Sequence, residues 1–193
     1  MNHFNILLKF LENENLTTED LDIDEYIGMT SLYLALINLN DNNIAEARIH
    51  FKNTFNIGNT KSQKVKLKYH LYRAKHFKDK KRYSQSLRIL KMAFDGIHLQ
   101  EEKNRNLIID LLLEFSEIYV YYRKDVKKAF YYLEIANKLI SKKTIAEIYR
   151  SIRYNLLRSD YYKILDRNNE NSAYYLSQSR ILKAQLNSFG IKD

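Results

Sequence analysis

Apolar side chains recur every three or four residues along most of the chain, which is the spacing of one face of an α-helix. The stretch 67–100 shows this pattern best, because two helical segments flank the polar turn at 79–82. Small residues at Ala74 and Ser86 fall where two antiparallel helices would approach closely, and larger residues surround them. The pattern predicts a hairpin of two helices, and the whole chain reads as all-α.

The pairing of small residues occurs four times. The other three pairs are Ala35 with Ala47, Ser116 with Ala129, and Ser159 with Ser172. Within a pair the two residues are 12 positions apart in the first two cases and 13 in the last two, and the second members follow one another after 39, 43 and 43 residues. We therefore predict a helical-hairpin solenoid of about four antiparallel pairs, with helices over 24–40 and 42–57, two within 67–100, 101–122 and 125–140, and 144–166 and 169–189.

The beginning of the chain predicts one further helix. Phe4, Leu7, Leu8 and Leu11 have helical spacing, and an acidic segment follows them. We assign residues 1–23 to an N-terminal helix and linker, and 24–193 to the repeat domain. The longest apolar run near the N-terminus is three residues, far short of the ~20 that a spanning helix needs. This predicts a cytoplasmic protein without membrane association.

Candidate chemistry is sparse. The chain has no cysteine and no proline, and its four glycines stand alone, so neither a thiolate metal site nor a glycine-rich phosphate loop can be formed. His70 and His76 are six residues apart, which is not the i, i+4 spacing that places two imidazoles on one helical face. We predict that the protein is not an enzyme and uses no metal or cofactor.

The net charge of +9 is unevenly distributed. Residues 1–60 carry three basic and nine acidic side chains, whereas 61–91 carry twelve basic ones and the single acid Asp79. A basic surface steers acidic partners but does not identify them. Three interpretations stay open for it: an acidic peptide or protein partner, a nucleic acid, or a solvated face without a partner.

The helix-turn-helix units and their small residues resemble the tetratricopeptide repeat, although the spacing exceeds its usual ~34 residues and the proline that normally ends each repeat is missing. HEAT-like hairpins, with a period of ~40–47 residues, are the structural alternative. The resemblance implies that the first helices of successive hairpins line a concave groove that binds a peptide or protein segment. The groove residues that it implies are Asn40, Lys68, Lys75, Lys78, Glu117, Tyr121, Arg153, Asp160 and Lys163.

A narrower resemblance comes from the Lys/Asn/Ile/Tyr-rich composition and from the stretch AFYYLEIANKLI at 129–140. These look like the sensor domains of peptide-pheromone receptors, the Rap, Rgg, PlcR and PrgX group and the arbitrium receptors. The resemblance implies the sensor part of a quorum-sensing type of regulator. Two alternatives remain: a basic helical protein that binds nucleic acid, and a homodimer that pairs through the last helix.

Sixteen tyrosines, eight of them in four adjacent pairs, are a further feature of the sequence. Neighbouring residues point about 100° apart around a helix. In each pair, at 121–122, 131–132, 161–162 and 174–175, we expect one ring in the core and the other nearer the surface.

Overall fold

The computed structural model describes residues 23–95, 97, 102–141 and 144–188. These residues form eight α-helices and contain no strand, which confirms the all-α prediction. The helices are α1 (Ile23–Asn40), α2 (Ile44–Thr60), α3 (Gln63–Asp79), α4 (Tyr83–Phe94), α5 (Arg105–Glu117), α6 (Val126–Leu139), α7 (Ile145–Tyr161) and α8 (Asn169–Ser188). The N-terminal helix predicted near residues 3–13 lies outside the described residues.

The chain divides into two compact units between Tyr69 and His70. In the first unit, α1, α2 and the beginning of α3 bury an apolar core around Leu32, Val65 and Leu67. In the second unit, the remainder of α3 and helices α4 to α8 bury a larger core, whose centre lies between α5, α6 and α7. Its buried members include Ile108, Leu112, Leu133, Ala136 and Leu157.

Four hairpins follow one another along the chain, namely α1–α2, α3–α4, α5–α6 and α7–α8. Each turn contains one residue with a left-handed backbone, with φ between 53° and 58°, at Asn42, Lys81, Lys124 and Arg167. The sequence predicts polar turns at 41–43, 79–82, 123–126 and 167–169, and all four are present. Asp125 caps α6, because its carboxylate accepts a hydrogen bond of 3.0 Å from the Lys128 amide.

The small residues predicted to lie at the close approach of each hairpin are all buried, and two of the four pairs touch directly. The Ser86 hydroxyl donates to the carbonyl oxygen of Ala74 at 2.7 Å. The Ser159 hydroxyl donates to the carbonyl oxygen of Ser172 at 2.8 Å. The predicted close approach is thus confirmed in the second and fourth hairpins.

Two π-helical segments explain why the spacing changes from 12 to 13. They extend α5 over Ile118–Arg123 and α7 over Tyr162–Asp166. In these two hairpins the backbone hydrogen bond that closes the first helix spans six residues, as from the Asp125 amide to the Tyr119 carbonyl, whereas in the first hairpin it spans five. A π turn adds one residue to a helix without lengthening it by a full turn. The extra residue of the sequence therefore lies in the first helix of each of these hairpins.

The sequence predicts that Gly58 ends α2 and that Ser141 caps α7, and both predictions are wrong. Gly58 does not end α2 but lies within it, where an added Cβ would come within 2.9 Å of the Lys66 backbone. Its role is to allow α3 to approach α2 closely. Thr144, and not Ser141, is the cap of α7, in a capping box with Glu147. The Ser141 hydroxyl instead donates to the Glu147 carboxylate at 2.7 Å.

The tyrosine pairs follow the expected division. Tyr122, Tyr131 and Tyr174 are exposed while their neighbours are half-buried, and Tyr161 is buried beside a half-buried Tyr162. The half-buried rings pack between helices. Within the ranges that the structure describes, we find no helix with both the length and the apolar character to cross a membrane.

Candidate functional site

The candidate site begins with the unusual composition of α5. Residues 107–115 of this helix are apolar except for Asp110 and Glu114, and Glu117 follows, so the three acids are spaced by four and three residues. Residues at such spacings lie on one face of a helix. Basic side chains reach this face from α3 and α7, which are the first helices of the preceding and the following hairpin. Charged groups from three hairpins therefore meet within the second unit.

At the centre, two carboxylates are each shared by two cations. The Lys78 amine lies 2.7 Å from Glu114 and 2.6 Å from Glu117. The Arg153 guanidinium lies 2.7 Å from Glu114 and 2.6 Å from Glu117. A third cation, Lys75, approaches Glu114 at 3.8 Å. We call Lys75, Lys78, Glu114, Glu117 and Arg153 the charge network; at neutral pH its formal charge is +1.

Burial strengthens the electrostatic interactions between the members of the charge network. Only 2% of the Glu114 side chain is exposed. Burial by itself disfavours the charged form of Lys78, but the two glutamates outweigh it and raise the pKa of Lys78 above its usual range. Burial likewise opposes ionisation of Glu117, yet hydrogen bonds from Lys78 and Arg153 lower its pKa. Lys78 and Glu117 therefore stay ionised together, because each favours the charged form of the other.

Two further contacts between α5 and α7 flank the charge network. Arg150 forms a bidentate pair with Asp110, with N···O distances of 3.0 and 2.7 Å. At the opposite end, the Tyr121 hydroxyl donates to the Asp160 carboxylate. Burial is the main cause of the raised pKa of Tyr121, and Asp160 raises it further. Polar contacts therefore join α5 and its π-helical extension to α7 at three successive positions along the helices.

Of the nine predicted groove residues, six lie in the charge network or its flanks: Lys75, Lys78, Glu117, Tyr121, Arg153 and Asp160. Lys163 is exposed in the π-helical segment after α7. Asn40 and Lys68 belong to the first unit, where Asn40 is the exposed last residue of α1. The Lys68 amine lies 6.0 Å from the centre of the Tyr33 ring.

Sequence reasoning missed Glu114, which is the most buried member of the charge network. Its signal was present: an acidic residue in an apolar helix, in line with Asp110 and Glu117. Arg150 was missed in the same way, three residues before Arg153 on the facing helix. The acids at helical spacing on α5, together with the two arginines at helical spacing on α7, would have predicted the network.

The chemistry that this site offers is ion pairing. Three cations surround two carboxylates, so the charge network itself has a formal charge of +1. Among the residues that the structure describes, no three His, Cys, Asp or Glu side chains lie close enough to hold a metal ion. This surface is suited to an anionic group, which would pair with the excess positive charge of the charge network.

Comparison with known proteins finds no match for this chain among family models, curated proteins or solved structures. The fold and the site together define the class of this protein. It is an all-α protein of successive helical hairpins, with an ion-pair network joining the first helices of its later hairpins.

Alkaline pH is expected to destabilise the fold through its buried tyrosines. Burial raises the pKa of Tyr132 to about 12, and it also raises the pKa values of Tyr154 and Tyr121. A phenol whose pKa is higher in the folded state contributes stability that is complete below the unfolded value of ~10 and is lost as pH rises through the folded value. The urea concentration at the midpoint of unfolding should therefore decrease as the pH is raised from about 10 to about 12.

This dependence is measured by urea titrations at several pH values, followed by circular dichroism. Tyr132→Phe should reduce the slope of the free energy of unfolding against pH above pH 10, with the exposed neighbour change Tyr131→Phe as its control. A Tyr132→Phe protein with the slope of the wild type would contradict the assignment.

Proposed function

We propose that this protein is a non-enzymatic binding module that recognises a peptide or protein segment on the face formed by α3, α5 and α7. One observation carries the proposal: six of the nine residues that the tetratricopeptide resemblance implies for such a groove are members of the charge network, whose formal charge is +1, or of its flanking contacts. Clusters of basic side chains are one kind of surface on which acidic motifs of a peptide or protein are recognised.

The charges indicate the chemistry of the bound segment. Lys75 is the least engaged cation of the charge network, because its amine is 3.8 Å from Glu114 and 38% of its side chain is exposed. Leu156 is exposed on α7, one turn beyond Arg153. A segment with an acidic side chain or a terminal carboxylate beside an apolar residue would pair with Lys75 and cover Leu156.

A narrower proposal concerns the role of such binding. The resemblance to peptide-pheromone receptors suggests that the module is the sensor part of a peptide-responsive regulator, with a short acidic peptide as its signal. This narrower proposal rests on the composition and on the stretch 129–140. The broader proposal does not depend on it.

The test is selection of binding peptides from a displayed library of random twelve-residue peptides, followed by fluorescence anisotropy with the enriched sequences. We expect enrichment of acidic peptides whose affinity falls about tenfold or more in Lys75→Glu. The matched control is Lys138→Glu, an exposed lysine on α6 with the same change of charge. Enriched peptides that bind both variants equally, or a library without enrichment, would contradict the proposal.

Nucleic-acid binding is the second candidate, and one observation favours it. Five basic residues around the second hairpin are exposed: Lys80, Lys81, Arg82, Arg88 and Lys91. Phosphate contacts by such residues give an affinity that falls steeply with salt. Anisotropy with a labelled oligonucleotide at two salt concentrations tests it. Strong, salt-sensitive binding that is lost in Arg82→Glu with Arg88→Glu, but kept in Lys75→Glu, would favour this alternative.

A further inference from the structure

A cavity of about 250 Å³ lies between the end of α6, the middle of α7 and the first half of α8. It is separate from the charge network, because its lining residues on α7 are Ser151, Tyr154 and Asn155, whereas Arg150 and Arg153 point to α5. Since one water occupies ~30 Å³ in the liquid, the cavity has room for about eight waters or one substituted six-membered ring.

The feature that marks this cavity as a binding site is the Ser151 hydroxyl. Ser151 is 1% exposed, and none of the described residues provides a hydrogen-bond partner for its oxygen. Other buried hydroxyls in the helices behave differently. Thr54, Ser116 and Ser179 each donate to a carbonyl oxygen of the preceding turn, at 2.8 to 2.9 Å. Ser151 instead lines the cavity with its hydrogen-bonding capacity unused.

The remaining lining residues define the chemistry of a ligand. Apart from tyrosines, none of the residues lining the cavity is ionisable. A charged ligand would lose its hydration without a counterion, at a high free-energy cost. The amides of Asn137, Asn155 and Gln178 each offer both donors and acceptors, as does a hydroxyl group. A neutral ligand with several hydroxyl groups satisfies such a lining.

The tyrosine rings favour a ligand with one apolar face rather than a flat base held between two rings. Tyr174 and Tyr175 are nearly perpendicular, at 83°, and so are Tyr154 and Tyr175, at 82°. One face of Tyr175 is already covered by the stacked ring of Tyr162. Tyr174, which is 56% exposed, can present its ring at the entrance. The lining therefore offers single ring faces and no parallel slot.

We propose that the cavity between α6, α7 and α8 binds a neutral, polyhydroxylated ring of monosaccharide size, with Ser151 and the three amides as hydrogen-bonding partners and the tyrosines against its apolar face. This function is independent of peptide recognition on the face of α3, α5 and α7. The two sites share α7 but use different sides of it.

The experiment is saturation-transfer difference NMR of the full chain with D-glucose, D-galactose, N-acetyl-D-glucosamine and myo-inositol, each at 10 mM as an order of magnitude suited to weak neutral ligands. We expect transfer to at least one of them, reduced about fivefold or more by Ser151→Ala and by Tyr174→Ala. The matched control, Ser188→Ala, alters an exposed serine on α8 and should leave the signal unchanged. No transfer to any probe, or a signal that Ser151→Ala leaves intact, overturns the proposal.

A second measurement keeps the outcome clear. If the Ser151 hydroxyl is free in the absence of ligand, Ser151→Ala should leave the melting temperature unchanged or higher, because no hydrogen bond is lost. A lower melting temperature would show that Ser151 has a structural partner and would overturn the proposal. Peptide binding in the Ser151→Ala protein should remain that of the wild type, so failure of this site is distinguishable from failure of the other.

Discussion

Arg158→Ala is expected to lower the free energy of unfolding by about 3–5 kcal/mol, one of the two largest effects we expect from a single substitution. Arg158 is 4% exposed. Its guanidinium pairs with Glu134 at 2.8 Å and lies against four aromatic rings, at 4.7 to 5.7 Å from their centres: Phe130, Tyr161, Tyr162 and Tyr175. A desolvated cation over aromatic rings is stabilised by about 2 kcal/mol or more. Alanine would remove these contacts and leave a cavity between α6, α7 and α8.

The Arg158 guanidinium nevertheless does not use all of its hydrogen-bond donors. Burial disfavours its charge, while the surrounding phenols and Glu134 raise its pKa. Its Nε and Nη1 atoms are buried without a partner among the described residues. We therefore expect Arg158→Met, which keeps most of the volume, to cost much less than alanine, about 1 kcal/mol.

Urea unfolding of the three proteins measures these differences. Arg180→Ala, at an exposed position on α8, is the matched control and should change stability by less than about 0.5 kcal/mol. Equal losses for methionine and alanine would show that the charge of Arg158 stabilises the fold more than its packing does. A loss below about 1 kcal/mol for alanine would contradict the prediction.

Glu114→Gln is expected to destabilise the protein by about 2–4 kcal/mol. The substitution keeps the size of the side chain but leaves Lys75, Lys78 and Arg153 facing Glu117 alone, so the formal charge of the network rises to +2. Removing one partner from a buried ionic cluster costs several kcal/mol because the remaining charges are left uncompensated. Glu117→Gln should cost less, because Glu117 is more exposed than Glu114.

A double-mutant cycle tests this explanation. Combining Glu114→Gln with Lys78→Met restores the balance of charge, so the double variant should be more stable than the sum of the single losses predicts, by about 1 kcal/mol or more. Glu170→Gln, at the exposed start of α8, is the control and should have little effect. Additive losses would mean that Glu114 and Lys78 do not stabilise each other.

The hairpins could be predicted because their signals are local. Helical periodicity, the polar turns at Asn42, Lys81, Lys124 and Arg167, and the four pairs of small residues depend on residues near one another in the sequence. Even the π-helical segments left a trace, as one extra residue in the third and fourth hairpins. Gly58 shows the limit of local reasoning. A glycine near a helix end suggests a cap, and only the approach of Lys66 shows its packing role.

The charge network was only partly predictable because its contacts join residues 36 to 39 positions apart. Such contacts depend on how the first helices of successive hairpins, α3, α5 and α7, pack against one another. Glu114 was overlooked because the groove model selected outward positions, and Glu114 is buried between helices. The orphan hydroxyl of Ser151 has no sequence signal at all, since a serine in a helix normally bonds to its own backbone.

The sequence by itself determined that this protein is all-α, where its hairpins turn, and which small residues lie between paired helices, because these properties follow from the short-range periodicity of the chain. The tertiary structure alone decided which charges meet, which arginine lies among aromatic rings, and which buried serine lines a cavity. These depend on the angle and register between helices far apart in the sequence, where a shift of one residue changes the partner of every side chain.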